Sequence, residues 1–212
     1  MTKTTFKNIL LIALLFSTTF LLSRTSEAYL SLKETAELVP DGIFKLGVAP
    51  QLKLSDGSGF NIGAYFDTSL SEDMNGRVEI GGGETDFWTS GSVKWVPFPD
   101  VGRQPAIGGR LALIYARDEK VNFYNVQFSP ILSKLAHTTY GKMIPFVGLP
   151  ITWVSTKDDS FVATQFAVGA EWFSNKDMHV GAELDLNLNK SFSSLTAFIS
   201  FPFDQATGYK KK

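Results

Sequence analysis

From residue 43 to residue 203 the chain repeats one pattern, in which short stretches alternate apolar with polar or small residues and are separated by turn-forming clusters. In residues 60–70, Phe60, Ile62, Ala64, Phe66, Thr68 and Leu70 fall on one face, and Asn61, Gly63, Tyr65, Asp67 and Ser69 on the other. Residues 178–188 repeat the arrangement: Met178, Val180, Ala182, Leu184, Leu186 and Leu188 oppose His179, Gly181, Glu183, Asp185 and Asn187. A period of two is that of a β-strand with two unlike faces. The pattern predicts ten strands, at 43–54, 59–70, 76–82, 86–97, 106–117, 121–130, 142–154, 161–173, 178–188 and 193–203, with eight as the alternative count. Between them lie turn clusters such as Asp56-Gly57-Ser58-Gly59, Gly81-Gly82-Gly83 and Asp118-Glu119-Lys120, where Gly supplies positive φ and Asp and Ser bond their own backbone. Only residues 31–38 and 131–137 have room for a short helical turn.

The first residues follow another logic. Lys3 and Lys7 precede an apolar run from Ile9 to Leu22, and Ser26-Glu27-Ala28 places small residues where a signal peptidase reads them. The expected organisation is therefore a cleaved leader over 1–28, a short periplasmic segment over 29–42, a barrel over 43–203 and a polar tail over 204–212. Removing Lys3, Lys7, Arg24 and Glu27 with the leader leaves 17 basic and 20 acidic residues, which excludes a strongly basic nucleic-acid surface. The chain has no cysteine, so neither a disulfide framework nor a thiolate metal site can hold it together.

Strand length and the placement of aromatics separate a membrane barrel from a soluble one. A tilted membrane-spanning strand needs about 9–11 residues, and soluble strands average about 5–6; nearly every predicted strand reaches the longer value. A bilayer also forbids an open sheet edge, and an even number of hairpin-linked strands closing on itself satisfies that demand. On the apolar face, Phe44, Trp95, Trp172, Phe201 and Phe203 fall near one end of the strands, and Phe60, Tyr115, Tyr124 and Trp153 near the other. Two aromatic belts around an aliphatic band suit two lipid interfaces.

The last strand, with Leu195, Ala197, Ile199, Phe201 and Phe203 alternating and ending in aromatics, resembles the small outer-membrane β-barrel proteins of Gram-negative bacteria. The resemblance is one of period across the whole mature chain. It implies an all-β, closed antiparallel up-and-down transmembrane barrel, exported through the Sec route and inserted into outer-membrane lipid by the barrel-assembly machinery as a monomer. It also implies that the chain starts on the periplasmic side. Two departures stand out: Asp204 to Lys212 follow the terminal aromatic, and the two longest connections, 98–105 and 131–141, fall on the expected periplasmic side, where such barrels have short turns.

With the apolar face toward lipid, the other face lines the interior. Its polar candidates are Lys45, Lys53, Asp67, Arg77, Glu79, Lys94, Arg110, Glu171, His179, Glu183 and Asp185, joined by Gln51, Asn61, Asp86 and Gln165. Charges of both signs buried together must pair across strands. The turn spacing predicts Glu171 directly opposite His179, and Asp67 near Glu79 and diagonal to Arg77. The function expected is structural or that of a narrow pore with a filled interior. A soluble barrel holding an apolar ligand, in the manner of a lipocalin, would need the opposite face assignment. A hydrolase would have to use His137 or His179, the only two histidines, both set toward the periplasmic end. The sequence calls for no cofactor and no metal, since Gly81-Gly82-Gly83 lacks the Lys and Ser/Thr of a phosphate loop.

Overall fold

The computed structural model describes residues 31–55, 58–139, 141–175, 178–204 and 206. The leader and nearly all of the tail lie outside these residues. Twelve strands are present among them: β1 (Ile43–Lys53), β2 (Phe60–Ser71), β3 (Met74–Gly83), β4 (Phe87–Phe98), β5 (Ala106–Asp118), β6 (Val121–Ser133), β7 (Ala136–Thr138), β8 (Gly141–Gly148), β9 (Ile151–Ser155), β10 (Ser160–Asn175), β11 (Met178–Asn189) and β12 (Ser194–Asp204). Each barrel strand pairs antiparallel with its neighbours, and β12 returns to β1 through pairs such as Phe44↔Phe203 and Val48↔Ile199, which closes the sheet. β8 and β9 both lie between β6 and β10, so they are successive halves of one barrel strand. The break falls at Leu149-Pro150, where Pro150 has no N–H to give to a ladder. The result is a closed ten-strand antiparallel barrel, with β7 added as a short outer partner of β8.

Neither segment with room for a helical turn forms one. Residues 131–133 prolong β6, 136–138 form β7, and 31–40 are irregular. The connection expected over 131–141 therefore shrinks to 134–140. Together with 99–105 it sits at the end of the barrel where β1 begins and β12 finishes, called here the first end; the connections at the second end are short. The two long connections are clasped. The Lys134 ammonium pairs with the Asp100 carboxylate and donates to the carbonyls of Gly102 (2.8 Å) and Gln104 (3.1 Å), while the Leu135 amide donates to Asp100 (2.7 Å).

The faces separate as the period of two demands, with the apolar set outward. Leu113 is 63% exposed, Val78 58% and Trp153 62%, whereas Gln51, Asn61 and Asp185 are fully buried. The lipocalin-like arrangement is thus reversed in this molecule. Phe44, Phe66 and Phe203 cluster at the first end, with Phe44 and Phe66 stacked at 5.4 Å, and Phe87, Tyr115 and Tyr124 cluster at the second. Asp86, expected on the interior face, is exposed beside the tight turn that precedes β4.

Four inward aromatics lie flat over a glycine directly opposite on the neighbouring strand: Tyr65 over Gly47, Trp88 over Gly81, Phe146 over Gly169 and Phe198 over Gly181. A Cβ on Gly47, Gly81 or Gly181 would stand 2.0–2.2 Å from the ring, and one on Gly169 2.5 Å from it. These glycines are therefore sockets for rings, which lets large side chains pack sideways along the wall of a narrow cylinder.

Two outcomes follow from this packing. Gly181→Ala pushes Phe198 off its seat and should cost about 1–3 kcal/mol as overpacking, read as a lower urea midpoint in micelles; Phe198→Leu in the same chain should restore part of it. The Lys134 contact and then the Leu135 amide hold the Asp100 carboxyl below its ordinary range. A depressed carboxylate contributes stability above its ordinary pKa and loses it as pH falls through the folded value. The Leu135 amide resonance should accordingly titrate with a midpoint below that of an ordinary aspartate, and lose the transition in Asp100→Asn.

Candidate functional site

The barrel interior is the only place where the described residues gather buried chemistry. Wall residues of β1 to β6 and β10 to β12 supply it, and so does a segment expected elsewhere. Residues 31–39, read from the sequence as part of a periplasmic lead-in, run inside the barrel: Ser31, Leu32, Lys33, Glu34, Thr35, Ala36 and Val39 are all buried. Ser31 lies toward the second end, near Asp185, Ser194 and Thr196. The chain then descends to Pro40 at the first end, where the Pro40 carbonyl accepts from the Ile43 amide as β1 begins. This placement has a physical cause. A ten-strand cylinder is wider than the eight-strand kind that wall side chains just fill, and the wall charges need partners within it.

The segment meets the wall layer by layer. The Ser31 hydroxyl donates to Asp185 (2.7 Å) and accepts from the Gln51 amide (2.5 Å). The amides of Leu32 and Lys33 each donate to one oxygen of Glu183 at 2.7 Å. Lys33 has φ of 52°, and with its backbone left-handed two successive N–H groups converge on one carboxylate, as in an anion-binding nest. Its ammonium pairs with Glu79. Glu34 bridges Lys94 (3.1 Å) and Arg110 (3.3 Å). Leu32 and Ala36 complete an apolar cluster with Ala49, Tyr65, Val96, Ile131, Phe146 and Phe198 of the wall.

The wall charges pair among themselves as well. Arg77 grips Asp67 with two hydrogen bonds, 2.6 and 2.9 Å, and its guanidinium stacks 4.3 Å from the Tyr65 ring. Asp67 stands directly opposite Arg77, and Glu79 opposite Tyr65, so the expected Asp67–Glu79 pairing is corrected by a register shift between Ser69 and Ser71 at the end of β2. Glu171 accepts from Lys45 (3.2 Å) and lies 3.2 Å from His179 Nδ1. Those two strands are paired two residues off the expected register, Glu171 with Gly181 and His179 with Phe173, because of a bulge at Phe173/Asn175. The Glu171–His179 contact is therefore diagonal. Lys53 is buried with its ammonium 5.6 Å from the Phe192 ring. Lys94 and Arg110 face inward as the alternation requires, and Arg110 also donates to Gln127. His137 is exposed on β7, far from the interior.

Among the described residues, one polar space of about 10 Å³ in the interior is lined by Lys33, Glu34, Lys45, Arg77, Lys94 and Glu171 among others. That is about one water. On the outside, Trp95, Trp153, Trp172, Tyr124 and Phe201 are exposed, while Phe44, Tyr115 and Phe203 are half-buried against their neighbours. The inward charges of the strands were legible from the period of two, Asp86 excepted. The segment's role was not, because residues 31–39 show no period, and their match to the wall exists only across the closed barrel.

The Asp67–Arg77 pair gives a direct measure of how costly an interior charge is alone. Arg77→Met leaves the Asp67 carboxylate buried and should cost about 3–5 kcal/mol, while the Asp67→Asn/Arg77→Met double variant should cost clearly less. Urea unfolding in micelles reads both, and a double variant that loses as much as Arg77→Met alone would show that the lone buried Asp67 charge is not the source of the loss.

No protein-family model and no curated protein matches the sequence. Among solved structures, the chain is similar to an outer membrane channel from Pseudomonas putida F1, at 12% identity and a TM-score of 0.50, over 82% of this chain and 100% of that one. It is also similar to the N-terminal β-barrel domain of OprF from Pseudomonas aeruginosa (11% identity, TM-score 0.37, 77% of this chain and 98% of that one). A third similar structure is Neisserial surface protein A (13% identity, TM-score 0.32, 76% and 97%). With its strand order, closure and inverted faces, the chain has the fold of the outer-membrane β-barrel proteins.

Proposed function

We propose that this protein resides in the outer membrane of a Gram-negative bacterium as a monomeric narrow pore held shut by its own N-terminal segment. In this reading it is exported through the Sec route, loses residues 1–28, and is inserted into outer-membrane lipid by the barrel-assembly machinery. One observation carries it: long aliphatic side chains cover the outside of a closed cylinder, with Leu46, Ile62, Val78 and Leu113 about half-exposed or more, while Asp67, Arg77, Glu79, Arg110 and Glu183 are shut inside. In water that distribution would waste most of the apolar area available for burial. In lipid it costs nothing, and closure satisfies every barrel strand on both edges.

The aromatic clusters at the two ends support the same reading, since such rings settle at the headgroup level. The filled interior argues for a closed resting state, and interior salt bridges that include Lys33–Glu79 and Glu34–Lys94 tie the stopper to the wall. A hydrolytic role finds no support in the geometry: Glu171 is engaged by Lys45 as well as His179, inside the wall.

Expressed with its leader in a Gram-negative host, the protein should remain with membranes through alkaline carbonate extraction and migrate differently on gels with and without heating. Reconstituted in planar bilayers at neutral pH, it should show no steady conductance. Release into the carbonate wash would overturn the membrane assignment, and a constantly open channel would overturn the shut state.

A further inference from the structure

Residues 31–37 meet the wall through their backbone as well as through the side chains of Ser31, Lys33 and Glu34. The carbonyls of Leu32, Lys33, Thr35 and Glu37 accept from Arg110 (2.9 Å), Arg77 (3.1 Å) and, for the last two, Lys94 (2.9 and 2.6 Å). The amides of Leu32 and Lys33 donate to Glu183, and that of Ala36 to Ser133 (3.2 Å). Seven backbone groups of one short segment are thus bound by wall side chains, none of them through a strand ladder.

The wall is arranged for this. Arg77, Lys94 and Arg110 stand on β3, β4 and β5, while Glu183 stands on β11, diametrically across from β4 in a ring of ten strands. A lumen with donors on one side and an acceptor carboxylate on the other matches the two polarities of a peptide backbone. Buried backbone groups must be paired, and here ionisable side chains pair six of the seven, Ser133 taking the other; a bond to a charged group is stronger than a neutral one.

We infer that the lumen is a peptide-binding site, built to hold a polypeptide segment by its main-chain amides and carbonyls, with an acidic side chain at the position of Glu34 and a basic one at that of Lys33. Its resident ligand is the chain's own N-terminal segment, and a peptide supplied from outside can take the same place when that segment is gone. This rests on the reading of the chain as a membrane barrel shut by residues 31–39.

The test compares the full chain with a variant lacking residues 31–40, both refolded in detergent and reconstituted in planar bilayers, with insertion checked separately by heat-modifiable migration. The deletion variant should conduct, and a synthetic peptide of residues 31–41 should block it. The same peptide N-methylated at Leu32 and Lys33 loses two hydrogen bonds to a carboxylate and should block at least about a hundredfold more weakly. A peptide of reversed sequence, equal in charge and composition, should also block weakly. Block of equal strength by all three, or by none in a conducting variant, overturns the peptide site. A full chain that fails to insert overturns the membrane reading instead. A measurement on the full chain does not depend on folding of the deletion: in micelles, the amide hydrogens of Leu32 and Lys33 should exchange at least about a thousandfold more slowly than in the free peptide. Exchange at the free-peptide rate overturns the proposal.

Discussion

Charges enclosed in a narrow cylinder must each meet an opposite charge or a hydrogen-bonding group, and most of this structure answers to that constraint. Arg77 meets Asp67, Lys45 meets Glu171, and Lys33 meets Glu79. Glu183 is met by two amides of the inner segment. Leaving any of these groups alone in low dielectric costs several kcal/mol, more than a single contact between neutral groups returns. The inner segment is therefore part of the barrel's solution to its own charge pattern, as much as an obstruction in it.

The outside obeys a simpler rule. Among the described residues, the exposed face of the strands is mainly aliphatic or aromatic. Inside, size matters as much as polarity. The ring-over-glycine pairs make room for Tyr65, Trp88, Phe146 and Phe198 without widening the wall. Phe146 and Phe198 join the apolar cluster that also receives Leu32 and Ala36. The apolar and ionic layers of the interior are thus interleaved, and the segment contributes to both.

The strand interruption at Leu149-Pro150 shows how the closed sheet tolerates a residue it cannot pair. The Leu149 amide donates to the Pro130 carbonyl on β6 and the Gln165 amide of β10 donates to the Pro150 carbonyl, so neighbouring strands bridge the gap on both sides. Two long connections at the first end are held by Lys134 and Asp100, which stiffens the end through which the segment leaves the lumen.

By itself the sequence determined the ten strands, the assignment of faces and most of the inward wall charges, Asp86 excepted, because a period of two fixes which side of a sheet each strand residue takes. Alternation in β2 and β11 was enough to send Asp67, Glu183 and Asp185 to one face and Ile62 and Leu184 to the other. Only the tertiary structure decided which charges meet. The register of each hairpin depends on its turn and bulges, so Asp67 found Arg77 directly and Glu171 reached His179 diagonally. The placement of residues 31–39 was likewise beyond local reading, since their partners lie on strands distant in sequence that come together only when β12 closes against β1. Their backbone groups carry no sequence signature, and those groups are what the wall binds.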